Sequence, residues 1–190
     1  MEQARDVRAF WIDEVGPAGW YVQDTALDAE IRNRFLPLWE QALDGGLCDW
    51  RMTPEGMLSY LILTDQFPRN MFRGDGRSFA TDGLALCAAK WAVARGWDQQ
   101  IDEPARQFFF LPMMHSEVQT DQDQAVRLFA TRMTTGDNLR HARAHREVIR
   151  RFGRFPYRND ALGRAMRHGE QGFLDAGAYG SILNEPDFAA

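Results

Sequence analysis

The sequence predicts an all-α protein, and three observations support this prediction. Apolar residues recur at helical spacing, as Leu58 and Leu61 do. Start signals such as Thr53-Pro54 and stop signals such as Gly45 bracket these segments. Strand signals are missing, because the sequence has no sustained period-two alternation and no Asn-Gly hairpin. We expect about seven to nine helices, joined by short turns into antiparallel pairs and stacked as a bundle or a superhelix.

The first four helices are each delimited by local signals. The first, residues 5–15, ends at Gly16-Pro17, and the second, residues 25–46, starts at Thr25 with Asp28 in capping-box spacing. The third, residues 53–67, has Thr53 as its N-cap and proline at its first position. The fourth helix is predicted from Thr81 to Gly96, where a glycine favours the left-handed exit from a helix.

The remaining helices follow with short connections. Residues 102–117 are apolar on every side, which predicts a central helix. Thr120 and Asp123 have capping-box spacing at the start of a helix over 120–133, and the next helix covers 137–153. A short helix after Asn159 and another near 169–175 complete the chain. No linker divides the sequence, so we expect residues 1–190 to form a single domain.

Three of these helices carry an ionisable residue where an apolar stripe should continue. Asp65 follows the leucines of the third helix, His115 shares a face with Phe108, and His145 lies in the middle of the stripe of helix 137–153. Buried polar groups seek one another, so we expect Asp65, His115 and His145 to line one polar pocket. Pro68 is expected to end the third helix, because it lacks a backbone donor. The chain then turns and directs three side chains elsewhere: Arg69, Asn70 and Arg73.

The overall composition excludes several classes of protein. The net charge of −5 argues against a general nucleic-acid binder, although arginines crowd residues 140–158. No apolar run reaches the roughly 18–20 residues of a membrane span, and the start of the chain lacks the apolar region of a secretion signal. Cys48 and Cys87 have no metal spacing, and Cys87 is predicted to be a core residue. We expect a cytoplasmic protein without membrane association.

Several long segments resemble a known family: TPEGMLSYLILTDQFPRNMFRG, SFATDGLAL, FFFLPMMHSE, DQAVRLF and HREVIRRFGRFPYRN. The chain resembles a widespread bacterial family of uncharacterised proteins, a domain of unknown function in the TPR-like helical superfamily. The likeness covers almost the whole chain. It implies stacked antiparallel helix pairs in a TPR-like α-α superhelix, and it implies no chemistry. The segment from residue 162 to residue 177 departs from the usual start of the family's last helix.

The candidate ligand site combines arginines with asparagines, acids and histidines. Arginine offers a planar fork of donors for an anion, and asparagine adds one donor and one acceptor. The alternative is an internal lattice, in which these arginines hold carboxylates and helix-terminal carbonyls together. The candidate ligand-binding residues are Asp65, Gln66, Arg69, Asn70, Arg73, His115, His145, Arg154, Arg158 and Asn159.

The sequence leaves three functions open. The first is a helical protein that binds a small anion or an acidic peptide end in a concave pocket. The second is an enzyme that uses His115, Glu117, His145 or Asp65 for acid–base work. The third is a scaffold whose polar cluster is purely structural. We predict no cofactor and no metal, since the His141 and His145 pair lacks a third ligand. The sequence does not indicate an oligomeric state.

Overall fold

The computed structural model describes residues 2–185 and residue 188. Within this part of the chain there are helices and turns but no strand, so the prediction of an all-α protein is confirmed. The chain divides into two compact units, Met1–Pro112 and Met113–Ala190. The single domain and the TPR-like stacking of helix pairs stay predictions. No helix in the described residues combines the length and the apolar character that crossing a bilayer requires.

The first unit contains six α-helices, which are joined by 3₁₀ turns and by π-helical segments. The α-helices are α1 Glu2–Arg8, α2 Gly16–Gly19, α3 Thr25–Leu43, α4 Pro54–Leu61, α5 Phe67–Met71 and α6 Asp82–Ala94. Two π-helical segments, Ala9–Val15 and Ile62–Gln66, follow α1 and α4 without a break. The 3₁₀ turns are Cys48–Met52, Gly76–Phe79, Asp98–Gln100 and Ala105–Phe109.

Aromatic side chains fill the core of the first unit. The ring of Phe67 lies 4.9 Å from that of Phe35 and 5.5 Å from that of Trp11, between ring centroids. Phe108 packs on Trp20 with its ring centroid 4.9 Å away. Burying a side chain of this size stabilises the fold by about 1.5–3 kcal/mol relative to leaving it exposed. The run from α4 to α5 lies in the middle of this core and is buried on nearly all sides, which makes any polar group on it costly unless it is bonded.

Three predicted features of the first unit are wrong. The N-cap of α3 is Asp24, whose carboxylate accepts from two backbone N–H groups, so Thr25 and Asp28 do not form a capping box. The helix that starts at Thr53 was predicted to end before Pro68, but it continues to Met71. A π-helical turn just before Pro68 accommodates the proline. Cys87 is exposed on α6, since the apolar stripe of that helix faces the other way.

The predicted central helix over 102–117 is broken. Residues 105–109 form a 3₁₀ turn, and a short helix α7, Leu111–Met114, follows after Phe110. Phe108, Leu111 and His115 therefore do not share one helical face. The three phenylalanines 108–110 are nevertheless fully buried, as the apolar sequence predicts.

The second unit has four further helices. They are α8 Gln119–Arg132, α9 Asn138–Phe152, α10 Glu170–Asp175 and α11 Tyr179–Leu183, with a 3₁₀ turn at Pro156–Arg158. Helix α9 packs against α8 and α11. It ends at Gly153, which takes the left-handed conformation with φ 67° that a glycine C-cap favours. Its buried face joins a small apolar core: Ala144, Val148, Ile149, Phe155, Phe173 and Ile182.

The start of α8 differs from the prediction. Its N-cap is Val118 rather than Thr120, and no capping box forms with Asp123. Instead, the hydroxyl of Ser116 accepts from the Val118 N–H and donates to Asp121 at 2.7 Å. This bonding orders the turn between α7 and α8.

Candidate functional site

Pro68 and the π turn before it set the geometry of the first group of candidate residues. In a regular helix the carbonyl of Thr64 would accept from the N–H of residue 68, which proline lacks. Here the hydroxyl of Thr81 donates to that carbonyl at 2.6 Å, and the same hydroxyl accepts from the Trp39 indole at 3.1 Å. The Phe67 N–H reaches back to the Ile62 carbonyl, which closes the wider turn. This widened turn keeps Asp65 and Gln66 inside the core, and π turns occur often at functional sites.

Asp65 is 1% exposed, and residues of the same helical run form hydrogen bonds with it. The Gln66 amide donates to the Asp65 carboxylate. A guanidinium nitrogen of Arg69 lies 3.5 Å from that carboxylate and also donates to the Asp65 carbonyl. The second guanidinium nitrogen of Arg69 lies 3.0 Å from a carboxylate oxygen of Asp82 on α6. Arg69 therefore holds two carboxylates together and stabilises the junction of α5 with α6.

Asn70 and Arg73 bind one acid on α3. The Asn70 amide donates to Asp28 at 2.8 Å, and Arg73 makes two parallel bonds to the same carboxylate, one of them 2.9 Å long. Such a bidentate pair is among the stronger hydrogen-bonded arrangements in proteins. Asp28 therefore joins α3 to α5. The sequence did not indicate this contact, because the spacing of Asp28 from Thr25 favoured a capping box instead.

Tyr21 and Gln107 were missed by the sequence reasoning. The Tyr21 hydroxyl donates to the Gln107 side-chain oxygen, although 61% of the Tyr21 residue surface is exposed. Burial of the hydroxyl raises the pKa of Tyr21, and the negative charge of Asp65 raises it further. The hydroxyl is therefore a donor held near Asp65. No pattern in the sequence marks it, because Tyr21 lies in the irregular turn between α2 and α3.

The second group of candidate residues surrounds His145 on α9. The His145 Nδ1 lies 2.9 Å from the carbonyl of His141, and a carbonyl only accepts, so Nδ1 carries the proton. Nε2 is then left as an acceptor in the neutral ring. The ring centroid of His145 is 4.6 Å from that of Tyr179, 5.5 Å from that of Phe155 and 6.4 Å from that of His115.

The surroundings of His145 oppose its protonation. Burial lowers the pKa of His145 to about 3, and the bond to the His141 carbonyl opposes this shift only in part. The positive charges of His115, Arg158 and His141 lower the pKa further. His145 is therefore a neutral hydrogen-bond acceptor at neutral pH, and Arg158 is the permanent cation that acts on it.

Tyr179 and His141 form a second pair that the sequence did not indicate. The Tyr179 hydroxyl and the His141 Nδ1 are hydrogen-bonded, and the two rings stack with centroids 5.9 Å apart. Burial raises the pKa of the Tyr179 hydroxyl and lowers the pKa of His141. With Nδ1 of both His141 and His145 engaged, the two imidazoles do not form an i, i+4 metal chelate through these atoms.

The predicted arginines of the second unit differ in their partners. Arg154 makes two bonds to Glu170, at 2.6 and 2.7 Å, and Asn159 donates to the same carboxylate at 3.1 Å. These bonds, with Arg154 first, lower the pKa of Glu170 to about 2. Arg158 is buried, donates to the His115 carbonyl at 3.0 Å and lies over the ring of Phe155. Arg154 and Asn159 hold the segment before α10, whereas Arg158 lies beside the histidines.

The Glu117 carboxylate forms its hydrogen bonds with groups other than His115 and His145. Its carboxylate accepts from Arg164 at 2.8 Å and from the Phe155 N–H at 2.9 Å. Burial opposes the ionisation of Glu117, but these two bonds outweigh it and lower its pKa. The carboxylate is therefore ionised at neutral pH and ties the turn after α7 to the loop after α9.

The ten predicted ligand-binding residues fall into two groups, one in each unit. Asp65, Gln66, Arg69, Asn70 and Arg73 lie along the end of one helical run, and the remaining five belong to the second unit. The convergence of Asp65 with His115 and His145 stays a prediction. Among the described residues, no group of three His, Cys, Asp or Glu side chains could hold a metal ion.

Comparison with known proteins places the chain in a family. The model of a family described as a bacterial protein of unknown function, DUF924, matches residues 7–178. The chain belongs to this family. A solved structure, that of the protein of unknown function ATU0120 from Agrobacterium tumefaciens, is 39% identical to this DUF924 protein. The match covers 93% of this chain and 98% of that one, with a TM-score of 0.87. Comparison with curated proteins gives no significant match. The function of the DUF924 family is not established.

Proposed function

We propose that this DUF924 protein binds a small anionic ligand, or the acidic end of a peptide, at the His145 face of the second unit. The observation that carries the proposal is a neutral His145 acceptor within the electrostatic influence of the buried Arg158 cation. Positive potential favours an anion, and a perturbed imidazole of this kind is typical of functional sites.

The two polar groups at this face restrict the chemistry of the ligand. The Arg158 guanidinium only donates hydrogen bonds, and the Nε2 of neutral His145 only accepts them. A ligand that satisfies both must present an anionic oxygen and a hydrogen-bond donor. Hydrogen phosphate, a hydroxy acid, and a peptide carboxylate with its preceding N–H all meet this requirement. Sulfate has the charge and shape of hydrogen phosphate but no donor.

Three other predicted arginines are not part of the proposed site. Arg69, Arg73 and Arg154 each bind a carboxylate within their own unit, which is the internal lattice that the sequence left open as an alternative. For these three the proposed role is structural. The lattice also accounts for Gln66, Asn70 and Asn159, whose amides donate to carboxylates.

An enzymatic role has weaker support. A histidine with a pKa of about 3 is deprotonated at neutral pH and is a weak base, so His145 is poorly suited to donate or abstract a proton there. Glu117 and Arg164 pair with each other, which leaves Glu117 in a structural position. Catalysis by His115, Glu117, His145 or Asp65 therefore remains the second hypothesis.

We place the protein in the cytoplasm and do not propose nucleic acid as its partner. Two of the five arginines of α9 that gave the basic segment form short ion pairs with carboxylates. Arg150 and Arg151 bind Glu147 at 2.6 Å, and Arg151 also binds Glu185 at 2.7 Å. Counterion release from phosphates requires cations that are available to the nucleic acid, and these two guanidinium groups are occupied.

The test compares phosphate with sulfate by calorimetry at pH 8, where hydrogen phosphate is dianionic. We expect phosphate to bind at least about 10-fold more tightly, since one additional hydrogen bond contributes about 1.4 kcal/mol. His145→Asn should remove this preference, because the shorter amide reproduces the bond to the His141 carbonyl and has no group at the Nε2 position. Arg143→Gln changes an exposed arginine on the same helix and serves as the control.

Two results would refute the proposal. One is equal binding of phosphate and sulfate by the wild-type protein together with no binding of a peptide whose C-terminal carboxylate is free. The other is an unchanged preference for phosphate in His145→Asn.

A further inference from the structure

Four sulfur-containing side chains border one cavity in the first unit, and none of them belongs to the residue groups described above. Cys48, Met52, Met57 and Cys87 line a cavity of about 310 Å³ together with Arg51, Ala88 and Trp91. Cys48 and Cys87 are far apart in the sequence, and no ligand spacing links them. The fold alone places both cysteines in the lining of the same cavity.

Three elements supply these side chains. Cys48 and Met52 lie on the 3₁₀ turn that precedes α4, Met57 lies on α4, and Cys87 lies on α6. Both thiols are exposed. Met57 is 1% exposed whereas Met52 is 71% exposed. The cavity therefore has a buried thioether, two accessible thiols and a second thioether that is open to solvent.

We propose that this cavity binds a soft monovalent metal ion, Cu(I) in the cell, through Cys48, Cys87 and Met57. Thiolate and thioether sulfurs are the ligands that select Cu(I), and imidazole or carboxylate groups are not required. Among the described residues the site does not combine three His, Cys, Asp or Glu side chains, because its third sulfur belongs to a methionine. The prediction of no metal rested on the His141 and His145 pair, which lacks a third ligand, and on the spacing of the cysteines, and it did not consider thioethers.

The charges around the site balance when the ion is bound. Binding of Cu(I) releases one proton from each of the two thiols and forms three sulfur–copper bonds, two from the thiolates and one from the neutral Met57 thioether. The complex therefore carries one negative charge, and no electron is transferred. An Arg51 nitrogen lies 3.1 Å from the Cys48 sulfur and donates to it. This permanent cation offsets the negative charge of the bis-thiolate complex. Arg51 is in turn positioned by the Tyr60 ring, whose centroid is 5.4 Å from the guanidinium carbon.

The test measures Cu(I) transfer from the coloured complex of bicinchoninate under anaerobic, reducing conditions. We expect the wild-type protein to remove one Cu(I) per chain. Cys48→Ser and Cys87→Ser should each weaken binding at least about 100-fold, because outer contacts alone change metal affinity by about 10–100-fold. Met57→Leu should weaken binding about 10-fold. Met166→Leu, which changes a half-exposed methionine of the second unit, should have no effect.

A repeat with Ag(I) separates metal binding from thiol oxidation, because Ag(I) has the same closed shell and sulfur preference and does not cycle redox state. Ag(I) should raise the melting temperature of the wild-type protein and leave that of the two cysteine variants unchanged. The proposal is wrong if the wild-type protein removes no Cu(I) from bicinchoninate. It is equally wrong if either cysteine variant keeps the wild-type affinity for both ions.

Discussion

Replacing His145 by asparagine should remove a specific part of the acid sensitivity of this protein. The pKa of His145 is about 3 in the folded chain, against an ordinary value of 6.5. Between these values the unfolded chain binds the proton and the folded chain does not. Acidification therefore favours the unfolded state, and the stability that neutral His145 contributes is lost as the pH falls below about 6.5.

The magnitude follows from the two pKa values. Between pH 8 and pH 5 the free energy of unfolding should fall by about 2 kcal/mol because of this single group. The loss is nearly the same for any native pKa below about 4, because the unfolded chain sets the titration in this range. Glu147 and Glu170 have pKa values of about 2, against an ordinary 4.5, so their contributions are lost only at lower pH. The interval from pH 8 to pH 5 thus isolates the histidines.

The assay is urea unfolding of the wild-type protein and His145→Asn at pH 8, 6.5 and 5. We expect the difference between the two proteins to change by about 2 kcal/mol across this interval, with the variant less sensitive to acid. His168→Asn, at an exposed position, is the control and should follow the wild-type curve. Parallel curves for wild type and His145→Asn would refute the idea that folded His145 stays neutral.

Three stability predictions concern the first unit. Thr81→Val removes the donor to the Thr64 carbonyl and should cost about 1–3 kcal/mol in urea unfolding, whereas Thr81→Ser should retain most of the stability. Arg69→Lys cannot span its two carboxylates as a fork and should lower the free energy of unfolding by about 1–3 kcal/mol; unchanged stability would show that this arginine is not structural. Gly56→Ala would bring a Cβ within 2.3 Å of a backbone carbonyl and should lower the free energy of unfolding by at least about 1–3 kcal/mol. Gly83→Ala, whose Cβ meets no atom within 4 Å, should instead stabilise α6 by about 0.5–1 kcal/mol.

The sequence predicted the helices well where local signals are strong. Thr53 with Pro54 starts α4, and Gly153 ends α9, because capping depends on a few neighbouring residues. The predicted end at Pro68 was wrong for a tertiary reason. The hydroxyl of Thr81, the N-cap residue of α6, satisfies the carbonyl that the proline leaves unbonded, and sequence spacing cannot reveal such a partner.

The candidate residues were predicted better than their partners. Apolar stripes correctly placed Asp65 in the core, and the partly buried His145 ring lies 5.5 Å from the buried ring of Phe155, between centroids. The stripes could not show that Asp28 binds Asn70 and Arg73, or that Glu170 binds Arg154. These pairs join elements across irregular turns, whose path depends on packing rather than on helical period. Tyr21, Gln107 and Tyr179 were missed for the same reason.

The most direct test of the proposed function is ¹⁵N NMR of the His145 imidazole during a titration with phosphate at pH 8. The account predicts that the Nε2 resonance moves in a saturable manner as it accepts a hydrogen bond, while Nδ1, bonded to the His141 carbonyl, stays in place. Sulfate at the same ionic strength should produce a much smaller change. An Nε2 resonance that does not respond to phosphate, to a hydroxy acid or to a peptide with a free C-terminus would contradict the proposal that His145 receives an anionic ligand.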